Sequence, residues 1–367
     1  MPLLLSTFYF FYFGIVGVYI IFMPKVLSMV GYSGSEIGVI FAAGPLVRFL
    51  LPFAFTRGMK LDFFNFKLAL VVMLTSALAF YFSLHNFYAL FISNIGIGVG
   101  MSLTLPYIEV IALRVIGKER YGKIRLFGSV GFILVALVLV KYLSTAQVAL
   151  NYLLFFTFFT ALLAFVIARK IDRKQEKKEE SKGSITILKH WKLWLSLTLM
   201  QVSFGAFYNF FTIYETAHGI TLEMTINLWV FGVLMEIVML YFQGRFLKSN
   251  LVLILQITTF ATVLRWALLF LYPQNLELLF FTQSLHALSF ALSYSASIAY
   301  LHQLYSNKVL AQQFYSGITF GLGGLVGALS FGYIYEYFAE YIFLIASSVA
   351  FASFIFITLW KKERREF

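Results

Sequence analysis

Three ionisable residues fall in the middle of otherwise apolar segments: Glu236, Arg265 and His286. Arg48 does the same nearer the start of the chain, while Glu109 and Arg125 stand closer to the ends of theirs. A charge at the centre of a bilayer-spanning helix costs roughly 2.5–3.5 kcal/mol on insertion scales, so such residues persist where they pair or face a wet cavity. The chemistry open to them is to hold a polar or ionic solute and to pass a proton, which carboxyl and imidazole groups can take up and release. With His286 neutral, three Arg against two Glu leave one positive charge. An anion would satisfy it, since the Arg fork matches a carboxylate. Glu109 and Arg125 also admit a plainer reading, as an interfacial ion pair. Polar companions collect in one segment: Gln201, Ser203, Tyr208, Asn209, Thr212 and Tyr214. Gln201, Tyr208 and Thr212 can share a helical face with Asn209 beside it, and Glu215 adds a carboxyl near the end of the same segment. Tyr9, Tyr12 and Tyr19 decorate the first apolar segment.

The elements that must position these residues are membrane helices. Of 367 residues, 61% are hydrophobic and 12% charged, against about 25% charged in soluble chains. Spans of about 20 apolar residues are expected at 3–24, 36–56, 66–84, 87–113, 122–142, 149–168, 191–216, 223–246, 250–271, 275–302, 311–335 and 339–360. The fold class expected is therefore all-α, a polytopic membrane protein with twelve transmembrane helices. The start Met1-Pro2-Leu3 lacks the basic region of a signal peptide, so the first span reads as retained. Residues 169–190 form a highly charged stretch, read as a cytoplasmic linker between six-helix bundles at 1–168 and 191–367. With both termini cytoplasmic, 23 of the 28 Lys and Arg residues fall on inner loops, and Lys25 and Lys141 alone lie outside. That sorting is the positive-inside rule. It accounts for the net charge of +12 without a nucleic-acid partner. The compact loops suit a multi-pass protein of a bacterial plasma (inner) membrane.

Six spans on each side of a linker suggest an internal repeat. Gly44-Pro45-Leu46-Val47-Arg48 and Gly232-Val233-Leu234-Met235-Glu236 occupy corresponding places and carry opposite charges at one depth. The glycines of 94–100 and 317–327 read as close helix packing; no strand precedes either, as a phosphate loop would need. There is no Cys, which excludes disulfides and thiolate metal sites. Neither His-Glu-x-x-His nor Gly-x-Ser-x-Gly occurs, so the chain does not read as an enzyme and needs no cofactor or metal.

Arg48, Glu109, Arg125, Glu236, Arg265 and His286 together resemble the major facilitator superfamily, in particular the proton-coupled symporter branch that holds the phenylpropionate permease and, more distantly, the lactose permease. The stretch Tyr121-Gly122-Lys123-Ile124-Arg125-Leu126-Phe127-Gly128-Ser129-Val130-Gly131-Phe132 is similar to the start of helix 5 in both. Pro106-Tyr107-Ile108-Glu109 is similar to the lactose permease segment that bears its sugar-binding carboxylate, with Arg125 matching the partner. Ala43 through Phe49 and Gln201 through Tyr214 resemble the phenylpropionate permease. The resemblance implies two pseudo-symmetric six-helix bundles around a central cavity. It implies coupling of proton to solute at Glu236, Arg265 and His286. Arg48, Glu109, Arg125 and Arg265 would contact the solute, with Gln201, Tyr208 and Asn209 shaping its pocket. Three departures stand out. Ser289 replaces the lactose permease's proton-carrying carboxylate, the loop between helices 2 and 3 is reduced to Arg57-Gly58-Met59-Lys60-Leu61-Asp62, and Phe132 stands where a sugar-stacking Trp is expected. The function implied is proton-coupled symport of a small organic acid, aromatic in part, by alternating access. An oligosaccharide or nucleoside is the second cargo class, and a membrane sensor or scaffold on a transporter fold the other function class. Partners implied are the small-molecule substrate, protons and the lipid bilayer, with the chain a monomer.

Overall fold

The computed structural model describes residues 1–171 and 185–363. Residues 172–184, most of the expected linker, and Arg364 and Arg365 lie outside the described residues. The chain is 89% helical and has no strand among the described residues. That is what lipid demands of a backbone that must satisfy its own hydrogen bonds.

Two compact units divide the chain, Met1–Lys178 and Glu179–Phe367. The first contains α1 (Pro2–Val30), α2 (Gly34–Thr56), α3 (Phe63–Phe82), α4 (Phe87–Ile116), α5 (Lys118–Tyr142) and α6 (Ala146–Ile171). The second contains α7 (Trp191–Ala217), α8 (Leu222–Phe246), α9 (Leu251–Leu271), α10 (276–304), α11 (308–338) and α12 (Ile342–Glu363). Among the described residues nine stretches are long and apolar enough to cross a membrane, the last, Lys308–Lys362, taking in both α11 and α12. The expected spans at 191–216 and 275–302 are helical but are not among the nine. The polar residues they carry, Gln201, Asn209, Glu215, Gln283, His286 and a run of serines, lower their hydropathy.

Helix starts are written in side chains that accept from the first free amides. Ser33 and Glu36 form a reciprocal capping box on α2, and Asp62, Asn86, Thr221, Asn250, Asn275 and Asn307 each cap the helix that follows. Gly117 turns the chain from α4 into α5 at φ +78, a conformation that costs glycine little. This turn sets Glu109 and Arg125 opposite each other.

Three helices are interrupted by π turns: Val18–Phe22 in α1, Ala287–Leu292 in α10 and Tyr315–Gly323 in α11. In the first unit the core joins Phe8, Tyr9 and Tyr12 to Phe66, Met73, Ile108 and Ala164. In the second, Trp194, Leu197, Leu255, Ala296, Tyr300 and Trp360 form the core cluster. There α7 and α11 cross at glycine on glycine: a Cβ on Gly205 would lie 2.6 Å from the Gly327 carbonyl carbon.

Candidate functional site

Arg265 is fully buried on α9, and three residues on one face of α10 receive its guanidinium. Its Nη1 donates to His286 Nδ1 at 2.9 Å and to Ser289 Oγ at 3.2 Å, and Nη2 donates to Gln283 Oε1 at 2.9 Å. Residues 283, 286 and 289 are spaced by three, the spacing of neighbours along a helix face. The guanidinium lies 4.3 Å from the Phe207 ring centroid and 4.6 Å from that of Trp266. Such contacts are worth about 2 kcal/mol or more when desolvated.

The donor pattern fixes the His286 tautomer. Guanidinium only donates, so Nδ1 must accept, and in the neutral ring the proton sits on Nε2. That nitrogen faces Glu236 Oε2 of α8 at 3.7 Å, and the imidazole lies parallel to the Phe290 ring, 5.2 Å between centroids. The aromatic walls are themselves anchored: Trp266 Nε1 donates to Ser203 Oγ at 3.1 Å and Trp229 Nε1 to Thr212 Oγ1 at 3.0 Å. Tyr208 packs on Phe204 with centroids 5.5 Å apart. Two buried donors of the cluster, Arg265 Nε and Gln283 Nε2, have no hydrogen-bond acceptor among the described residues. Among the described residues no carboxylate forms an ion pair with Arg265.

The first unit holds a second cluster. Arg125 Nε lies 3.4 Å from Glu109 Oε1, which also accepts from the Tyr121 hydroxyl at 2.9 Å. Arg125 covers Phe13 at 4.2 Å from its centroid. Tyr12 lies close enough to Arg48, Glu109 and Arg125 to feel their charges. Asn94 accepts from Tyr19 at 2.9 Å and donates to the Ile40 carbonyl, tying α1, α2 and α4 together.

With this geometry in hand, comparison with known proteins settles the family. The model of the MFS_1 like family matches residues 3–345. The chain belongs to that family. Among curated relatives of this MFS_1-like chain, a probable 3-phenylpropionic acid transporter of Escherichia coli (strain K12) is 26% identical over 357 residues, 93% of each chain. The uncharacterised transporter YwbF of Bacillus subtilis (strain 168) is 25% identical over 341 residues, 87% of this chain and 83% of that one. Solved structures share the fold. The nucleoside transporter NupG gives a TM-score of 0.78 at 15% identity, covering 98% of this chain and 99% of its own. The POT family transporter PepTSo gives 0.78 at 10%, covering 100% and 98%. The MFS_1-like chain is thus a multi-pass membrane transporter of the major facilitator type, and its relatives are transporters, not enzymes.

Within this MFS_1-like chain, Arg265, His286 and Glu236 form one contiguous cluster, and Tyr208 stands on its aromatic wall. Gln201 lines a small cavity together with Ser289. Asn209 is buried on α7 and makes no hydrogen bond to Arg265, His286 or Glu236 among the described residues. Arg48 is exposed, with no ion pair among the described residues. No group of His and carboxylates among the described residues could hold a metal. Gln283, Phe204, Phe207 and Trp266 were not singled out from the sequence, whereas Ser289 was, as the residue in place of a proton-carrying carboxylate. Gln283 and Ser289 had a usable signal, polar side chains three residues either side of His286. The aromatic residues had none.

Proposed function

We propose that the chain is a proton-coupled symporter of a small organic acid, aromatic in part, working by alternating access. The observation that carries this reading is Arg265, a fully buried cation whose hydrogen bonds all go to uncharged groups. A carboxylate cargo would give Arg265 Nε and Gln283 Nε2 the acceptor they lack, and the Phe204, Phe207 and Trp266 faces suit an aryl group. The curated relative named for 3-phenylpropionic acid points to the same class.

Coupling follows from the line Arg265–His286–Glu236. Because the His286 Nε2 proton faces Glu236, a proton taken up by either group is felt by the other, and through Nδ1 by the guanidinium. Glu236 is the first choice for the group that gains and loses the proton, with His286 and Glu109 as relays. Arg48 and Arg125 would orient the solute, and Gln201, Tyr208 and Asn209 shape its pocket. We assign residues 1–168 and 191–367 to two six-helix bundles joined by the linker 169–190. Both termini face the cytoplasm of a bacterial inner membrane, and the chain works as a monomer.

The test is uptake of labelled 3-phenylpropionate into proteoliposomes under an imposed proton gradient, with counterflow measured in parallel. Glu236→Gln is expected to keep counterflow and lose proton-driven accumulation. Unchanged accumulation would remove Glu236 from coupling. A panel including a nucleoside and an oligosaccharide decides between acid and neutral cargo.

A further inference from the structure

Beside the Arg265 cluster, the second unit contains a cavity of about 20 Å³ bordered by α7, α9, α10 and α11. Its walls carry hydroxyls: Ser289, Ser293 and Ser297 of α10, Thr259 of α9, Tyr315 and Thr319 of α11. The three serines are four residues apart and follow one helix face. The first already accepts from Arg265 Nη1, and the last lines the space together with Tyr315. Ser297 and Thr259 spend their protons on carbonyls of their own helices, Ser293 and Leu255, which leaves hydroxyl lone pairs free to accept. Thr319 is 3% exposed and its Oγ1 has no hydrogen-bond partner among the described residues. Two π turns, Ala287–Leu292 and Tyr315–Gly323, border the same space. Such turns recur at functional sites.

The space is large enough for one water and has hydroxyls among its mostly apolar lining. One water needs roughly 10–15 Å³ and two to four polar partners; the volume suffices for one, and the hydroxyls on the lining are its available partners. We propose that this cavity holds water that continues the proton path from Glu236 and His286 along the Ser289–Ser293–Ser297 face of α10. This inference rests on the proton-coupled reading above. The water takes one proton from the cluster side and gives one onward to the next serine hydroxyl, which passes its own on, so every O–H bond broken is matched by one formed. The titratable groups on the cavity walls are Tyr294 and Tyr315; His286 is joined to the line of serines through Arg265 Nη1, which donates to both His286 and Ser289, and Glu236 stands behind His286. Arg265 stands at the head of the line, and its positive charge opposes an excess proton there, as a fixed arginine does in a water pore. An anionic cargo on Arg265 would cancel that field. The path therefore conducts with cargo bound and resists leak without it.

Hydroxyl-radical footprinting of the intact protein in vesicles, read by mass spectrometry, tests the water directly. Met200 and Tyr315 line the cavity and are 7% and 4% exposed; both should be labelled, and Tyr214, 2% exposed and away from the cavity, should not. Ser293→Leu, which fills the space, should abolish the Tyr315 label. In proteoliposomes, Ser293→Leu and the near-isosteric Thr319→Val should lose proton-driven accumulation of 3-phenylpropionate and keep counterflow. Should Ser293→Leu lose counterflow as well, Thr319→Val decides. Unlabelled Met200 and Tyr315 in the wild type, or wild-type accumulation by Thr319→Val, overturns the proposal. If the cavity labels but the wild type accumulates nothing on a proton gradient, the symport reading fails and the water site stands.

Discussion

Arg265 is held by acceptors that carry no charge, and its planar shape is what lets it meet them. One edge reaches His286 and Ser289, the other reaches Gln283, and the face lies on Phe207 and Trp266. Lysine offers a compact ammonium in place of this fork. Arg265→Lys is therefore expected to abolish initial-rate uptake of 3-phenylpropionate while the protein still reaches the membrane. A sharper test leaves Arg265 alone. Gln283→Glu keeps an oxygen where Nη2 now donates at 2.9 Å, but adds the negative charge the cargo is proposed to bring. A hydrogen bond to a charged group contributes about 1.5–3 kcal/mol. The internal carboxylate should therefore weaken 3-phenylpropionate binding about tenfold or more, read by quenching of Trp266 and Trp229. Unchanged affinity would mean that Arg265 is not the cargo's counter-charge. Glu236, Arg265 and His286 were legible in the sequence because a charge in an apolar run stands out. The aromatic walls were not: with 44 Phe in the chain, no single ring is distinguished until the packing selects it.

At the scale of elements, helix starts were legible and helix irregularities were not. The caps Ser33, Asp62, Asn86, Thr221, Asn250, Asn275 and Asn307 are polar residues at the edge of apolar runs, each with a local partner three residues on. A π turn leaves no such mark, because a run that is apolar on every side shows no change when its turn widens. Only Val18–Phe22 has a nearby signal, Pro24, which lacks an amide and crowds the preceding turn. The glycine runs at 94–100 and 317–327 hinted at close crossings, and two glycines outside those runs differ in the room they leave for a side chain. A Cβ at Gly205 would press on Gly327 backbone, whereas one at Gly44 would meet nothing within 4 Å. Overpacking of this kind typically costs about 1–3 kcal/mol. Gly205→Ala should therefore lower the thermal unfolding temperature in detergent. Gly44→Ala should leave it unchanged or raise it, since alanine is the better helix former by up to about 1 kcal/mol.

The orientation of the whole molecule rests on where its positive charges fall, and the absence of Cys makes that testable without background. Lys141 ends α5 and is exposed, Lys248 follows α8 and is exposed, and Lys362 is exposed near the end of α12. The proposed topology puts Lys141 outside and the other two inside, in line with the excess of Lys and Arg on the loops assigned to the cytoplasm. Counting helices alone cannot choose between this arrangement and its inverse, because a helix spans equally well either way up; the charge asymmetry breaks the tie. Single variants Lys141→Cys, Lys248→Cys and Lys362→Cys each introduce the only thiol in the chain. A membrane-impermeant thiol reagent applied to intact bacterial cells should label Lys141→Cys at once, and the other two only after permeabilisation. The opposite pattern would invert the topology. The Ser289–Ser293–Ser297 face would then lead away from the cytoplasm, and an imposed gradient would have to be reversed to drive uptake. Labelling of all three in intact cells would show that one of the intervening helices does not span.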